Sequence, residues 1–404
     1  MADYRRINVD SGRPLEPLAN YSRAMRVGDM VLQSGTTAID KLGNVIGEGD
    51  IAKQVDAIMA IAEGTMGQAG GMLDDVVRTR VYVTDIALAD QAGRAMAKYF
   101  KDVRPAATLV QVSRLARPTQ LIEIELDAVD GAKQSAQRIS SGSPTEELYA
   151  YSRAVRVDDR VFISGTASFG DPGFDDVGDL RRQARQIYDT ILEALDQAGG
   201  RPGDLVYTKS FVTDMAQAAG QTQARLDALG EVRPTGTLLG IPALIEPEML
   251  VEIEAEAIIG ATSSRQDFYT GDGDEKSRGF ARAVAVGDVV HVSGCTSLDG
   301  NGNVQAPGDW AAQFDICHEA VAAALTQAGA TLDDVVRRRS FTVAGAKQNR
   351  PYGEGPAWFA DSRPVSMGCR ISGLRLSEML VEIDAWAIKG AHKDIEWLGP
   401  DSAE

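Results

Sequence analysis

Three glutamates that stand inside apolar segments are the residues best suited to chemistry in this sequence. Glu123 lies in LIEIELDAV, Glu252 in LVEIEAEAI and Glu382 in LVEIDAWAI. A carboxyl group in apolar surroundings has a raised pKa, so it can act as an acid or a base, or orient a water molecule. On a strand, each shares a face with the acid two residues later. Spacing alone favours the alternative, a solvated polar face.

An arginine follows an aromatic residue by two positions in three places. The pairs are Tyr21 with Arg23, Tyr151 with Arg153, and Phe280 with Arg282. Residues two apart on an extended segment point the same way, and a guanidinium suits bidentate carboxylate binding. These arginines are therefore either anion-binding groups of a cleft or members of peripheral salt bridges.

The last third of the chain contains every histidine, cysteine and tryptophan. These residues are His291, His318, His392, Cys295, Cys317, Cys369, Trp310, Trp358, Trp386 and Trp397. A nucleophilic Cys295 would need a base, and His291, four residues earlier on the same strand, is poorly placed to serve as one. His318 stands on the apolar side of a helix and is predicted to be a packed core residue. No metal-ligand spacing and no disulfide framework emerge, so neither a metal nor a cofactor is expected.

The glutamates belong to copies of one repeat. The segment YSRAMRVGDMVLQSGTT, which begins at Tyr21, returns as YSRAVRVDDRVFISGTA from Tyr151 and as FARAVAVGDVVHVSGCT from Phe280. A Gln-Ala-Gly triplet, an Arg-Pro pair and the glutamate segment follow in the same order in each copy. Chance does not align four separate blocks in order, so the chain is a tandem of three copies.

Each copy has enough apolar strands and helices to form a compact domain. In the first copy, strands are predicted at 30–34, 76–84, 108–112 and 121–129, and helices at 55–66 and 87–100. The fold class is α/β (α+β). Linkers rich in Gly, Ser and charge place the domains at 1–133, 134–262 and 263–404, the last with a polar C-terminal tail that is expected to be peripheral.

The YSxAxxxGDxxxxSGxx segment, the helix ending in QAG, the DDVVRTRVYVTD strand, RPA and the closing IEIE strand together resemble the RidA (YjgF) family. The resemblance covers all three copies. Members are usually single units with a chorismate-mutase-like fold that trimerise, with helices outside, strands at the centre and a ligand cleft at each subunit boundary. It implies that this chain is a single-chain pseudotrimer. It also implies cleft positions for the three glutamates, for the aromatic residues Tyr21, Tyr151 and Phe280, and for the glycines Gly35, Gly165 and Gly294.

The best-known members of that family hydrolyse reactive enamines and imines, and they hold the substrate carboxylate with an arginine just after the RPA-type segment. Ala107, Gly236 and Ser366 occupy that position here. Losing a charge-assisted contact costs a few kcal/mol. Ordinary imine deaminase activity is therefore expected to be weak unless another arginine supplies the anchor, and Arg23 and its equivalents are the first candidates.

Arg370 is a replacement that the third copy alone offers. If Ser366, Gly368 and Arg370 alternate on one strand face, Arg370 points into a cleft where the other copies have Gln111 and Gly240. We predict a specialised site in the third copy, with Arg370 as anion anchor and Glu382 as the acid that orients water. The further candidates are Glu123 and Glu252 as acids of lesser sites and Cys295 and Ser366 as substrate contacts. Drift after duplication is the alternative.

A formal charge of -17 excludes the protein classes that bind nucleic acid or anionic lipid through Lys and Arg. The sequence has no apolar stretch of membrane-spanning length and no hydrophobic secretion signal near its start, so a cytoplasmic location is expected. The expected partner is a small-molecule substrate, and the chain is expected to act alone or in an assembly of pseudotrimers.

We predict a cofactor-independent hydrolase or deaminase that acts on a small enamine, imine or related C–N compound. Retention of the glutamate in every copy favours an enzyme. A non-catalytic small-molecule binding or regulatory protein is one alternative. A diverged pathway enzyme, such as a lyase, a cyclase or a chorismate-utilising hydrolase, is another.

Overall fold

The computed structural model describes residues 4–168, 178–270 and 274–400. In this part of the chain, each repeat folds as an α+β unit in which a long helix packs against a mixed sheet. The fold class predicted from the repeat is confirmed. No helix in these described segments is long and apolar enough to cross a membrane.

The long helix of each unit begins at a capping aspartate. Asp50, Asp179 and Asp309 each accept a hydrogen bond from the backbone N–H three residues later, which satisfies one of the donors that a helix start leaves open. Glycines with positive φ follow the last turn, at Gly70, Gly199 and Gly329. A glycine adopts this left-handed conformation at little cost, so the same residue types set both ends of the helix in all three units.

The elements follow the same order in each unit, with small differences at the ends. Unit 1 contains β1 (Arg6–Val9), α1 (Leu15–Leu18), β2 (Ala24–Val27), β3 (Met30–Thr37), α2 (Ile51–Gln68), β4 (Val76–Val83), α3 (Ala89–Phe100), β5 (Ala106–Gln111) and β6 (Ile122–Val129), and the short helix α4 (Ala132–Ser135) that follows packs on β4. Unit 2 contains β7 (Gln137–Ile139), α5 (Pro144–Leu148), β8 (Ala154–Val157), β9 (Arg160–Ala167), α6 (Leu180–Gln197), β10 (Leu205–Val212), α7 (Ala218–Leu229), β11 (Thr235–Gly240) and β12 (Val251–Ile258). Unit 3 contains β13 (Gln266–Phe268), α8 (Asp274–Ser277), β14 (Ala283–Val286), β15 (Val289–Cys295), α9 (Trp310–Gln327), β16 (Val335–Val343), β17 (Val365–Ile371), β18 (Val381–Ile388) and β19 (Ile395–Leu398).

The strand orders are β19-β1-β2-β3-β6-β4-β5, β11-β10-β12-β9-β8-β7 and β13-β14-β15-β18-β16-β17. Antiparallel pairs dominate, and β4 with β5, β10 with β11 and β16 with β17 are parallel. The C-terminal tail lies at the edge of the unit 1 sheet. Its strand β19 pairs in parallel with β1, with Arg6 opposite Ile395, because the edge strand of unit 1 offers unpaired backbone groups.

Unit 3 lacks one element that the other units share. Helix α3 follows β4 in unit 1 and α7 follows β10 in unit 2, and each packs on the long helix of its unit. Between β16 and β17, residues 344–364, all of which the structure describes, form turns and irregular segments instead. One side of α9 is therefore covered by a loop.

Buried ion pairs join each unit to the next around a closed ring. The pairs, with their N–O distances, are Arg80 with Glu254 (2.9 Å), Lys209 with Asp384 (2.8 Å) and Arg339 with Glu125 (2.9 Å). In every case the cation stands on β4, β10 or β16, and the acid stands on the closing strand of the next unit. The solvated face that spacing favoured for these acids is therefore wrong, because the sheets of neighbouring units cover it.

Candidate functional site

Each cleft lies between two units. In each cleft, one residue stands at the position where the family arginine is missing. Its backbone N–H donates to the hydroxyl of a serine on β3, β9 or β15 of the next unit. The pairs are Ser366 to Ser34 (2.8 Å), Ala107 to Ser164 (2.8 Å) and Gly236 to Ser293 (2.9 Å). We call the cleft of units 3 and 1 the first cleft, that of units 1 and 2 the middle cleft, and that of units 2 and 3 the third cleft.

A glutamate and a glycine face each other in every cleft. A Cβ added to Gly35 would collide with Oε1 of Glu123, and Gly165 with Glu252 and Gly294 with Glu382 repeat this relationship. Only glycine leaves room for the carboxylate here. The structure brings these glycine and glutamate positions together, and their role in binding stays a prediction.

The cleft glutamates are buried, and burial is the main cause of their raised pKa values. Burial and then the charge of Glu125 raise the pKa of Glu123 to about 8, and Arg23 opposes the shift. Burial and Glu254 likewise raise the pKa of Glu252 to about 8. For Glu382, burial outweighs the lowering by Arg278 and raises the pKa to about 7. These groups can hold a proton near neutral pH and exchange it with a ligand.

The arginine beside each cleft aromatic donates hydrogen bonds to the loop that contains the cleft glycine. Arg23 donates to Oε1 of Glu16 at 2.9 Å, to the Gly35 carbonyl at 3.0 Å and to the Tyr21 hydroxyl at 2.6 Å. Arg153 and Arg282 donate to the equivalent glycine carbonyls, and Phe280 and Tyr151 lie beside these guanidinium groups. Nε of Arg153 is buried and has no hydrogen-bond partner among the described residues, so a carboxylate clamp formed by these arginines stays a prediction. The alternative of a peripheral salt bridge is wrong for Arg23, because Arg23 and Glu16 are buried.

Cys295 takes part in the same loop contact. Nη1 of Arg282 lies 3.6 Å from its Sγ, just as Nη1 of Arg153 donates to the hydroxyl of Thr166 at 2.8 Å. Burial raises the pKa of Cys295, so the thiol form is favoured. His291 stacks on Trp386 and faces unit 2, which leaves Cys295 without a histidine base.

Arg370 and Glu382 do not meet. Strand β17 of unit 3 packs against β3 of unit 1, so Arg370 lines the first cleft together with Glu123. Glu382 lines the third cleft with Gly236 of unit 2. Arg370 also donates to the carbonyl of Ala346 at 3.1 Å and to Gln348 Oε1 at 2.7 Å. The predicted pairing of Arg370 with Glu382 is wrong. In each cleft, the strand after the Arg-Pro pair comes from one unit and the cleft glutamate comes from the next unit.

Arg338 brings a guanidinium to the position of the missing arginine in the first cleft. It stands on β16 directly opposite Ser366 on β17, and its Nη2 donates to the Ser366 hydroxyl at 2.8 Å. Its Nε is buried and has no hydrogen-bond partner among the described residues. Burial lowers the pKa of Arg338 to about 10, which still leaves the group charged at neutral pH. Arg338 is not among the site residues predicted from the sequence, although Thr79 and Thr208 at the aligned positions of the other copies mark it as an extra arginine.

In the third cleft, Arg225 on helix α7 brings a guanidinium to the position of the missing arginine. Its Nη1 would lie 2.7 Å from a Cβ on Gly236, so the guanidinium fills the space that a side chain at Gly236 would take. Its Nη2 donates to the Arg278 carbonyl, and its centre lies 5.6 Å from the Phe280 ring. The aligned residue in unit 1 is Met96. A buried charge on the apolar side of a helix was the signal that the sequence offered.

The clefts differ in size and charge. The first encloses about 820 Å³, and Glu123, Arg338 and Arg370 line it. The third encloses about 310 Å³ around Glu382 and Arg225. In the middle cleft, unit 1 supplies Ala107. It has Thr79 at the position of Arg338 in the first cleft and Met96 at the position of Arg225 in the third. In the parts of the chain that the structure describes, no group of three or more His, Cys, Asp or Glu side chains could hold a metal ion.

Comparison with known proteins identifies relatives of each unit. The model of the endoribonuclease L-PSP family matches residues 12–130, 143–259 and 275–389. The 3-aminoacrylate deaminase RutC of Acinetobacter baylyi is 33% identical over 120 residues, which is 30% of this chain and 94% of that protein. A solved member of the YjgF family from Mycobacterium tuberculosis is 38% identical and covers 31% of this chain and 100% of its own, with a TM-score of 0.28.

One solved structure resembles most of the chain. The crystal structure of a chorismatase covers 78% of this chain and 93% of its own, with a TM-score of 0.53 and 14% sequence identity. At this identity the likeness concerns the fold alone. It agrees with three α+β units arranged in a single chain.

Proposed function

This chain belongs to the endoribonuclease L-PSP family, three of whose units it fuses, and from that premise we propose that it is a cofactor-independent hydrolase. Its substrate would be a small enamine or imine that carries a carboxylate, and its product would be the corresponding carbonyl compound with release of ammonia. The proposal rests on one observation, which is that Glu123 and Arg338 line the same cleft. A proton donor and a carboxylate anchor are what this reaction needs.

Arg338 supports the proposal as the anchor. Its hydrogen bond to Ser366 fixes the guanidinium plane, and the side chain lines the first cleft together with Glu123. An arginine binds a carboxylate through charge-assisted hydrogen bonds, which are stronger than neutral ones. The anchor thus comes from the neighbouring strand instead of from the position that relatives use.

Glu123 supports the proposal as the acid and base. With its pKa near 8, the carboxyl is largely protonated at neutral pH and can give its proton to the carbon of an enamine, which forms an iminium ion. Water then adds to the C=N carbon and loses a proton to the carboxylate. The resulting carbinolamine expels ammonia and leaves the carbonyl group. One water is consumed and one ammonia is released for each imine.

The third cleft supports the same chemistry with Glu382 and Arg225. The middle cleft retains Glu252, but Thr79 stands at the position of Arg338 and Met96 at the position of Arg225. We therefore assign turnover to the first and third clefts and expect the middle one to contribute least. The relative named 3-aminoacrylate deaminase agrees with this reaction class, since its named substrate is a carboxylate with an amino group on a double bond.

The partner in this proposal is a small molecule in the cytoplasm, and neither nucleic acid nor membrane is a partner. The net charge of -17 supports the exclusion of phosphate-rich partners. The alternative of a binding protein without catalysis predicts ligand binding with no turnover.

The experiment generates imines in the assay with an amino-acid oxidase and measures the acceleration of ammonia release above the spontaneous rate. We expect acceleration by the native chain and its loss in the Arg338→Met, Arg225→Met double variant. Thr79→Val is the matched control, because it alters the equivalent position in the middle cleft. No acceleration for any carboxylate-bearing imine, together with ligand binding, would establish the binding protein instead.

A further inference from the structure

The missing helix of unit 3 changes the first cleft. In unit 1, the face of α2 that carries Ile51, Val55 and Met59 packs in the core that α3 helps to form. The aligned residues of α9 are Trp310, Phe314 and His318. The loop of residues 344–364 covers them in place of a helix, and a loop fills that volume less completely.

The three residues form one aromatic wall. The ring centroids of Trp310 and Phe314 are 4.8 Å apart, and those of Phe314 and His318 are 4.4 Å apart. Trp358, from the loop, stacks on His318 at 5.1 Å with 9° between the ring planes. All four line the cavity that also contains Glu123 and Arg338. We call this part of the cavity the aromatic recess.

The wall is held in place by an ion pair. Asp315 accepts a hydrogen bond from Nε1 of Trp358 at 2.9 Å, and Arg350 forms two hydrogen bonds with the same carboxylate at 2.6 and 2.8 Å. Arg350 and Trp358 both belong to the loop, so Asp315 ties it to α9 at two points. A recess that is held in this way does not need to be organised by its ligand.

A buried polar atom in the recess lacks a partner. His318 is fully buried, and burial lowers its pKa to about 3, so the ring is neutral. Its Nδ1 lies 2.8 Å from the Phe314 carbonyl, which requires the hydrogen on Nδ1 and leaves Nε2 as an acceptor. Nε2 has no hydrogen-bond partner within the described residues. A buried acceptor left unpaired is costly, and a ligand with a donor would remove that cost.

We propose that the first cleft binds a carboxylate that carries a planar ring with a hydrogen-bond donor. The carboxylate binds Arg338 beside Glu123, the ring lies against the aromatic wall, and the donor reaches Nε2 of His318. The cavity of about 820 Å³ has room for both ends, whereas the third cleft, at about 310 Å³, has room for a short carboxylate only. This inference rests on the proposed function only in stating that the carboxylate end of the ligand lies at the reacting group. Binding itself does not require turnover.

The test measures binding by calorimetry with 4-hydroxyphenylpyruvate, phenylpyruvate and pyruvate, the carbonyl compounds that imine hydrolysis would release. We expect phenylpyruvate to bind at least tenfold more tightly than pyruvate, and 4-hydroxyphenylpyruvate to bind more tightly still. Trp358→Leu should remove most of the preference for a ring. His318→Met, which installs the residue of unit 1, should remove the advantage of the hydroxyl and keep that of the ring.

Trp397→Leu is the matched control, because Trp397 stands on β19 outside the cavity lining, and it should leave every affinity unchanged. Equal affinities for pyruvate and phenylpyruvate, or a ring preference that survives Trp358→Leu, would overturn the proposal. Its failure is distinguishable from that of the proposed function. A ring preference without ammonia release supports the recess and refutes the hydrolase, whereas ammonia release without a ring preference does the reverse.

Discussion

Arg338 donates a hydrogen bond to the Ser366 hydroxyl at 2.8 Å across the parallel strands β16 and β17. This contact puts a guanidinium where relatives carry an arginine at the position of Ser366. The guanidinium thus reaches the cleft from β16, the strand beside the one that carries Ser366. The role of this guanidinium can therefore be tested by transferring the arginine from position 338 to position 366.

The Arg338→Thr variant copies the residue of units 1 and 2. For substrates too large for the third cleft, its kcat/KM should fall by about 10- to 100-fold, because a charge-assisted contact is lost. Adding Ser366→Arg should restore most of the activity, because the new side chain reaches the same space from β17. Steady-state kinetics on imines checks both. Failure of the double variant to recover, with its melting temperature unchanged, would show that Arg338 does not act as the anchor.

Glu123→Gln should cause the largest loss of activity among the glutamate variants, about 100-fold or more for turnover in the first cleft, because the proton donor is removed. Glu382→Gln should affect only substrates small enough for the third cleft, and Glu252→Gln should have the least effect. Arg370→Ala should follow the substrate pattern of Glu123→Gln, since the two residues line one cavity. A pattern shared with Glu382→Gln would contradict the assignment of clefts.

The proton on Glu123 should set the alkaline limb of the pH–rate profile. Since burial raises its pKa to about 8, the acid form is present below that pH, and kcat should fall as pH rises through it. A raised pKa in the folded state also means that this group stabilises the fold at low pH and loses that contribution as pH rises from about 4.5 through 8. Glu123→Gln should therefore melt a few degrees higher than the native chain at pH 9 and no higher at pH 4. Identical melting curves at pH 9 would contradict the buried, raised carboxyl.

The ring of buried ion pairs should control stability. Glu254→Gln removes the nearest of the carboxylates that pair with Arg80, while Asp127 and Glu256 remain at 3.1 Å. The free energy of unfolding should therefore fall, by less than the about 3–5 kcal/mol that leaving a buried charge unpaired costs. The cations hold the pKa values of Glu125 and Glu254 well below their usual range, so their contribution is present above pH 4.5 and is lost as pH falls further. Denaturant titrations of both proteins at pH 7 and at pH 3 check this. A variant as stable as the native chain at pH 7 would show that the pairs contribute nothing.

The closed ring also predicts the shape in solution. A compact chain of this length should have a radius of gyration of about 21 to 22 Å, from the scaling of folded domains. Small-angle scattering on the full chain measures it, and light scattering shows whether one chain or several associate. A much larger radius for a single chain would indicate separate domains joined by linkers.

The sequence by itself determined the repeat and the order of strands and helices. Helix α2, predicted at 55–66, extends over Ile51–Gln68, and the strand predicted at 76–84 is Val76–Val83. These features depend on periodicity and on capping residues, which act over a few neighbours in the chain. Local interactions were sufficient, and three copies of the same pattern reinforced one another.

Only the tertiary structure decided which residues share a cleft. Arg370 and Glu382 lie on consecutive strands, β17 and β18, yet they line different cavities because the strand after each Arg-Pro pair packs on the following unit. Alternation also suggested that Glu125 faces solvent, whereas a cation from another unit buries and pairs it. A period of two tells which face a side chain takes, and what covers that face depends on contacts between residues that are hundreds of positions apart in the chain.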